Sequence, residues 1–199
     1  MSNNWIKIFL PPVLALALLA GCGGDGGDEF AGNDADAAFV ADMVPHHESA
    51  VNMAQIARQR AEHLELKTLA TDIIGAQKKE ISEMEALRSS LPEADGGSMM
   101  MGEEHMGHMG LDAEHMGMKM DPAQLLNAET FDITFIDMMI PHHEGAIEMA
   151  NLLLEDGENP RLQAMARSIV ASQTAELEQM RKWRAEWIKQ GSSDGGDQG

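Results

Sequence analysis

One short stretch occurs twice, and it constrains the fold more than any other feature. Met43-Val44-Pro45-His46-His47-Glu48 returns 96 residues later as Met139-Ile140-Pro141-His142-His143-Glu144. Aligned without a gap, residues 39–91 and 135–187 share 17 identical positions. Beyond the motif these include Phe39/Phe135, Met53/Met149, Ala54/Ala150, Gln77/Gln173, Glu80/Glu176, Met84/Met180 and Arg88/Arg184. Ungapped identity over such a span marks duplication of a structural unit.

Each unit reads as two helices. Phe39, Met43, His46, His47, Ala50, Met53, Ala54 and Ala57 recur at spacings of three and four. Leu66, Leu69, Ala70, Ile73, Gln77, Ile81, Met84, Leu87 and Leu91 do the same after a break near His63. In the second copy the break is Asp156-Gly157-Glu158-Asn159-Pro160. Gly157 suits a helix end, Asn159 a cap and Pro160 a first turn. Pro45 and Pro141 interrupt the helical hydrogen bonding, yet the apolar phase runs on through them, which predicts kinked continuous helices. A hairpin cannot bury its apolar stripe alone. The expected fold is therefore all-α, a ferritin-like four-helix bundle made from two duplicated hairpins. The long link between them would cross over along the bundle, or hang from a short-loop up-down bundle.

The remaining segments frame a domain at residues 35–190, with repeats at 35–91 and 129–190. Residues 1–21 resemble a bacterial lipoprotein signal: Lys7, an apolar run to Ala20, then Leu19-Ala20-Gly21-Cys22. The run is short for a membrane span. This implies export, lipidation of Cys22 and membrane anchoring on the extracytoplasmic side, at the periplasm or cell surface. Residues 22–34 read as a flexible tether and 191–199 as a disordered tail. As the lone cysteine, Cys22 excludes an internal disulfide. A net charge of −19 excludes a phosphate-binding footprint, so no nucleic acid is expected.

The polar groups on the core faces carry the chemistry. Placed around a helix, His46 and His47 lie about 60° and about 40° to either side of Met43, whereas Glu48 lies about 140° away, facing outward. Glu144 repeats this. His46 lies 17 residues before position 63 and Glu80 lies 17 after it, so a hairpin brings them to one level. Met43 and Met84 fall in the next layer. The second copy does the same with His142, His143, Glu176, Met139 and Met180. A buried carboxylate must be paired, protonated or metal-bound. Imidazole, carboxylate and thioether thus converge, with Met53 and Met149 nearby in sequence. The alternative is a metal-free polar network that fixes register. The Glu-x-x-His pattern of di-iron bundles is absent, which argues against a ferritin-type oxidase.

A third stretch lies in the linker, residues 92–128. Residues 99–120 hold eight Met and three His: Met99, Met100, Met101, His105, Met106, His108, Met109, His115, Met116, Met118 and Met120. Thioether and imidazole suit copper, soft sulfur for Cu(I) and nitrogen for Cu(II). Zinc would be expected to use Cys, His or carboxylate, although the imidazole–carboxylate groups are compatible with other divalent ions. The competing reading is a low-complexity linker.

The pattern Phe-x₃-Met-x-Pro-His-His-Glu-x-Ala-x₂-Met-Ala, followed by Gln-x₂-Glu-[Ile/Leu]-x₂-Met, resembles the domain-of-unknown-function 305 family over residues 34–190. The resemblance implies a ferritin-like bundle, and some members are periplasmic copper-binding proteins associated with copper tolerance. It carries over to Met43, His46, His47, Met53, Met139, His142, His143 and Met149. The expected function is an exported lipoprotein that sequesters or transfers copper, without catalysis, with a metal-delivery protein as a further partner. The alternatives are a metal-dependent oxidase in the same bundle and a metal-free surface interaction module.

Overall fold

The first helix starts where a capping box permits it. The Asn33 side chain accepts from the Asp36 amide, and the Asp36 carboxylate accepts from the Asn33 amide, so two donors without helical partners are satisfied. The computed structural model describes residues 32–92 and 121–194. The signal segment, Cys22, the Met/His tract at 99–120 and residues 195–199 lie outside the described residues. Helix α1 spans Asp34–Arg60 and α2 spans Leu64–Arg88. A single turn, α3, covers Ala123–Leu126; α4 spans Phe131–Asp156 and α5 spans Pro160–Asp194.

Pro45 and Pro141 lie inside α1 and α4, which stay helical through them. A proline in a helix interior costs about 3 kcal/mol. The buried stripe on either side offsets that cost: Phe39 and Met43 before Pro45, Ala50 and Met53 after it, all fully buried. Asn159 caps α5 through its side-chain oxygen, which accepts from the amides of Arg161 and Leu162, and Pro160 takes the first helical position. The last helix continues through Gly191 to Asp194, where composition alone suggests a tail.

Two buried aspartates fix the topology. The Asp36 carboxylate, at the start of α1, accepts from the amides of Glu158 and Asn159 in the α4–α5 turn. Asp132, at the start of α4, accepts from the amides of Glu62 and His63 in the α1–α2 turn. The start of α1 therefore meets the end of α4, and the start of α4 meets the end of α1, so these two helices are antiparallel. The chain leaves the bundle beside the start of α1 and returns beside its end, where Arg60 donates to the carbonyls of Leu125 and Leu126. The link between the hairpins thus connects opposite ends of the bundle, a single long crossover as in ferritin-like folds. Helices α1 and α4 pack on each other at the centre, α2 flanks α1, α5 flanks α4, and α2 scarcely touches α5.

The core falls into two apolar clusters, one at each end. The first holds Phe39, Met43, Val44, Met84 and Leu87 of the first repeat with Ala146, Met149, Leu153 and Ile169 of the second. The other holds Ala50, Met53, Leu66 and Ile73 of the first with Phe135, Met139, Leu177 and Met180 of the second. On all four long helices the residues between the clusters are polar: His46 and His47, Gln77 and Glu80, His142 and His143, Gln173 and Glu176. One polar layer thus divides the core at its middle.

Candidate metal centre

All four motif histidines are buried, none more than 2% exposed. Buried alanines at 50 and 146 border them on α1 and α4, and such small side chains let two helix backbones approach closely. His46 and His142 meet across that contact, ring centroids 3.7 Å apart and planes tilted by 36°. The duplicated histidines therefore join the two repeats face to face.

The second histidine of each motif turns toward its own hairpin partner. His47 Nε2 lies 2.7 Å from Glu80 Oε2, and His143 Nε2 lies 2.5 Å from Glu176 Oε2. The sequence count put Glu80 level with the histidines; of the two, His47 is its partner and His46 is committed to the other repeat. Glu80 and Glu176 are only partly exposed, at 16% and 20%. Glu48 and Glu144 face outward, as their angular position requires, and Glu144 pairs with Arg181 on α5.

The layer carries unused polar capacity. Nδ1 of His47 and of His143, both ring nitrogens of His142, and the side-chain oxygens of Gln77 and Gln173 are buried without a hydrogen-bond partner. Buried groups in that condition are costly, about 1–3 kcal/mol each, and invite a ligand. Burial pushes the His142 imidazole well below its ordinary value of 6.5, and the neighbouring rings of His46, His143 and His47 push it further down. His142 therefore stays neutral, the form that binds metal.

Thioethers cap the layer on both sides. Met43 and Met84 lie in one cluster with Met149 of the other repeat, while Met139 and Met180 lie in the other cluster with Met53. All six are buried. Met53 and Met149 thus serve the side opposite to the Met of their own motif, a crossing that sequence spacing does not reveal. Among the described residues no three His, Cys, Asp or Glu side chains converge on one point that could hold an ion. Imidazole and thioether together form a donor set that suits copper rather than zinc. The tract residues Met99 to Met120 lie outside the described residues.

The aspartates Asp36 and Asp132 escaped the sequence reading. They occupy equivalent positions, 96 residues apart, just ahead of the aligned block. Extending the alignment by three residues toward the amino terminus would have paired them.

The family model for a domain of unknown function, DUF305, matches residues 36–184. The chain belongs to the DUF305 family. Solved structures agree in fold. CopM in its Cu(II)-bound form is 38% identical with a TM-score of 0.61, covering 76% of this chain and 97% of CopM. CopM in its Cu(I)-bound form is 35% identical with a TM-score of 0.59, covering 76% and 96%. A DUF305 protein from Streptomyces coelicolor, described as a candidate secreted protein, is 30% identical with a TM-score of 0.65, covering 76% and 93%. No curated protein matches the chain. The DUF305 motif and the polar layer of this chain coincide: the identical histidines of the motif form the layer, and its identical methionines are buried in the two clusters that flank it.

Proposed function

We propose that this DUF305 protein binds copper ions outside the cytoplasm and sequesters or transfers them, rather than turning over a substrate. The observation that carries the proposal is the central layer: four buried histidines, with ring nitrogens of His47, His142 and His143 lacking a hydrogen-bond partner, and buried methionines in the apolar cluster on either side. CopM, a relative over nearly its whole length, has been solved with Cu(I), Cu(II) and Ag. His46, His47, His142 and His143 would supply nitrogen, and Met43, Met84, Met149, Met139, Met180 and Met53 would supply sulfur. Glu80 and Glu176 would orient the imidazoles of His47 and His143, or bind if the pairs open. Met99 to Met120 would add looser capture. No helix among the described residues is long and apolar enough to cross a membrane. Attachment would come from acylation of Cys22.

Equilibrium dialysis of the full chain against Cu(I) and Cu(II) tests the proposal. Retained copper should fall when His46 and His142 are replaced together, and no retention at micromolar free metal would sink it. Replacing the eight tract methionines should lower the Cu(I) stoichiometry and leave the layer's share intact.

A metal-free polar network is the second reading, favoured by the closed His47–Glu80 and His143–Glu176 pairs. Copper at 100 times its Kd should raise stability by about 2.7 kcal/mol if only the folded state binds it. An unchanged Tm would favour the network.

A further inference from the structure

Away from the polar layer, one imidazole is presented in a way that the fold does not need. His63 lies in the α1–α2 turn, its side chain 37% exposed. Its Nδ1 sits 2.7 Å from the buried Asp132 Oδ2, which also accepts from the His63 amide. A carboxylate at that position accepts, so in the neutral ring Nδ1 carries the proton and Nε2 holds the lone pair. A carboxylate behind the Nδ1 edge of an imidazole is the arrangement that orients a metal-ligating histidine toward a ligand at Nε2. Asp132 is already bonded to two amides, so the turn would be held without the ring.

The ring also has a fixed face. It stacks on Trp187 of α5, centroids 3.7 Å apart and planes within 9°, and Trp187 stacks in turn on Trp183. A metal ion bound at Nε2 lies in the imidazole plane, and so keeps the height of that plane above the indole. A cation is attracted by an aromatic face. The partial positive charge at the start of α2 opposes a cation there. The Asp132 carboxylate accepts from the same amides, and Glu62 and Glu65 flank the turn from exposed positions.

We propose that His63, oriented by Asp132 and stacked on Trp187, is an outlying capture site for copper ions, separate from the central layer. It offers one protein nitrogen, with water completing the coordination, so it binds weakly and exchanges fast. It stands at the end of the bundle where the chain re-enters at residue 121. The proposal does not depend on the central layer binding metal.

Titration of the full chain with Cu(II) chloride, read by tryptophan fluorescence, tests it, because an ion at Nε2 lies beside Trp187 and quenches it. Wild type should show a quenching phase that H63Q loses; the glutamine amide can still donate to Asp132, so the turn is retained. D132N should keep the phase but shift its midpoint about tenfold to higher copper. W187F should lose most of the amplitude while binding as many ions by dialysis. The H47A/H143A pair should keep the phase even where total copper falls. Quenching in H63Q equal to wild type, or an unchanged amplitude in W187F, would overturn the assignment.

Discussion

Asp42 sits one residue before Met43, half out of water, and burial raises its pKa from 3.8 to about 6. A carboxyl whose folded pKa is raised costs stability above that value, and the cost is relieved as pH falls through about 6. Its partial exposure discounts the full shift, so D42N should add about 1 kcal/mol at pH 8, about half of that at pH 5 and little below pH 4, measured by urea unfolding. His142 works in the opposite direction. Its folded pKa is lowered below 6.5, so the unfolded chain takes up the proton first and stability falls as pH drops below about 6.5. The slope from this one group approaches about 1.4 kcal/mol per pH unit, and H142F should flatten it. The level of these residues was legible, because helical period and distance from a turn fix height along a bundle. Their partners were less so. Whether His46 or His47 meets Glu80 depends on which neighbour each side of α1 faces, and one hairpin's periodicity holds no information about the other hairpin.

At the scale of elements, the two aspartates do what the hydrophobic pattern cannot. Each holds the turn of the opposite hairpin through backbone amides, so D36A would strand the buried donors of Glu158 and Asn159 as well as the capping amide of Asn33. Its expected cost is about 3 kcal/mol, read as a lower urea midpoint, whereas D36N should lose about half of that because an amide oxygen still accepts. The α4–α5 turn is tight as well: a Cβ at Gly157 would come within 2.7 Å of the Leu153 carbonyl oxygen and 2.9 Å of Asp36 Oδ1. Gly157, Asn159 and Pro160 were readable as punctuation because turn chemistry is local. The aspartates were not, since a side chain that reaches 123 residues along the sequence leaves no periodic trace.

For the whole molecule, chain order alone allowed two connectivities. A link as long as residues 92–128 can cross the bundle or hang from it, and the contacts of Asp36, Asp132 and Arg60 decide in favour of the crossing. The fold class was legible because duplication and a 3.6-residue period leave few all-helical solutions. The reciprocal clasps carry a historical consequence. Each hairpin supplies an aspartate for the other and receives one in return, which is the contact set of an isologous pair. A single ancestral hairpin could have formed the same bundle as a homodimer, and fusion of two gene copies by a crossover would have left every contact in place. Residues 121–194, expressed alone, should then associate as a two-fold dimer in sedimentation, with Asp132 of each copy seated on the Glu158–Asn159 amides of its mate. D132A should shift that fragment to monomer. The crossover would then be the newest part of the molecule, and its methionine- and histidine-rich stretch a later acquisition than either hairpin.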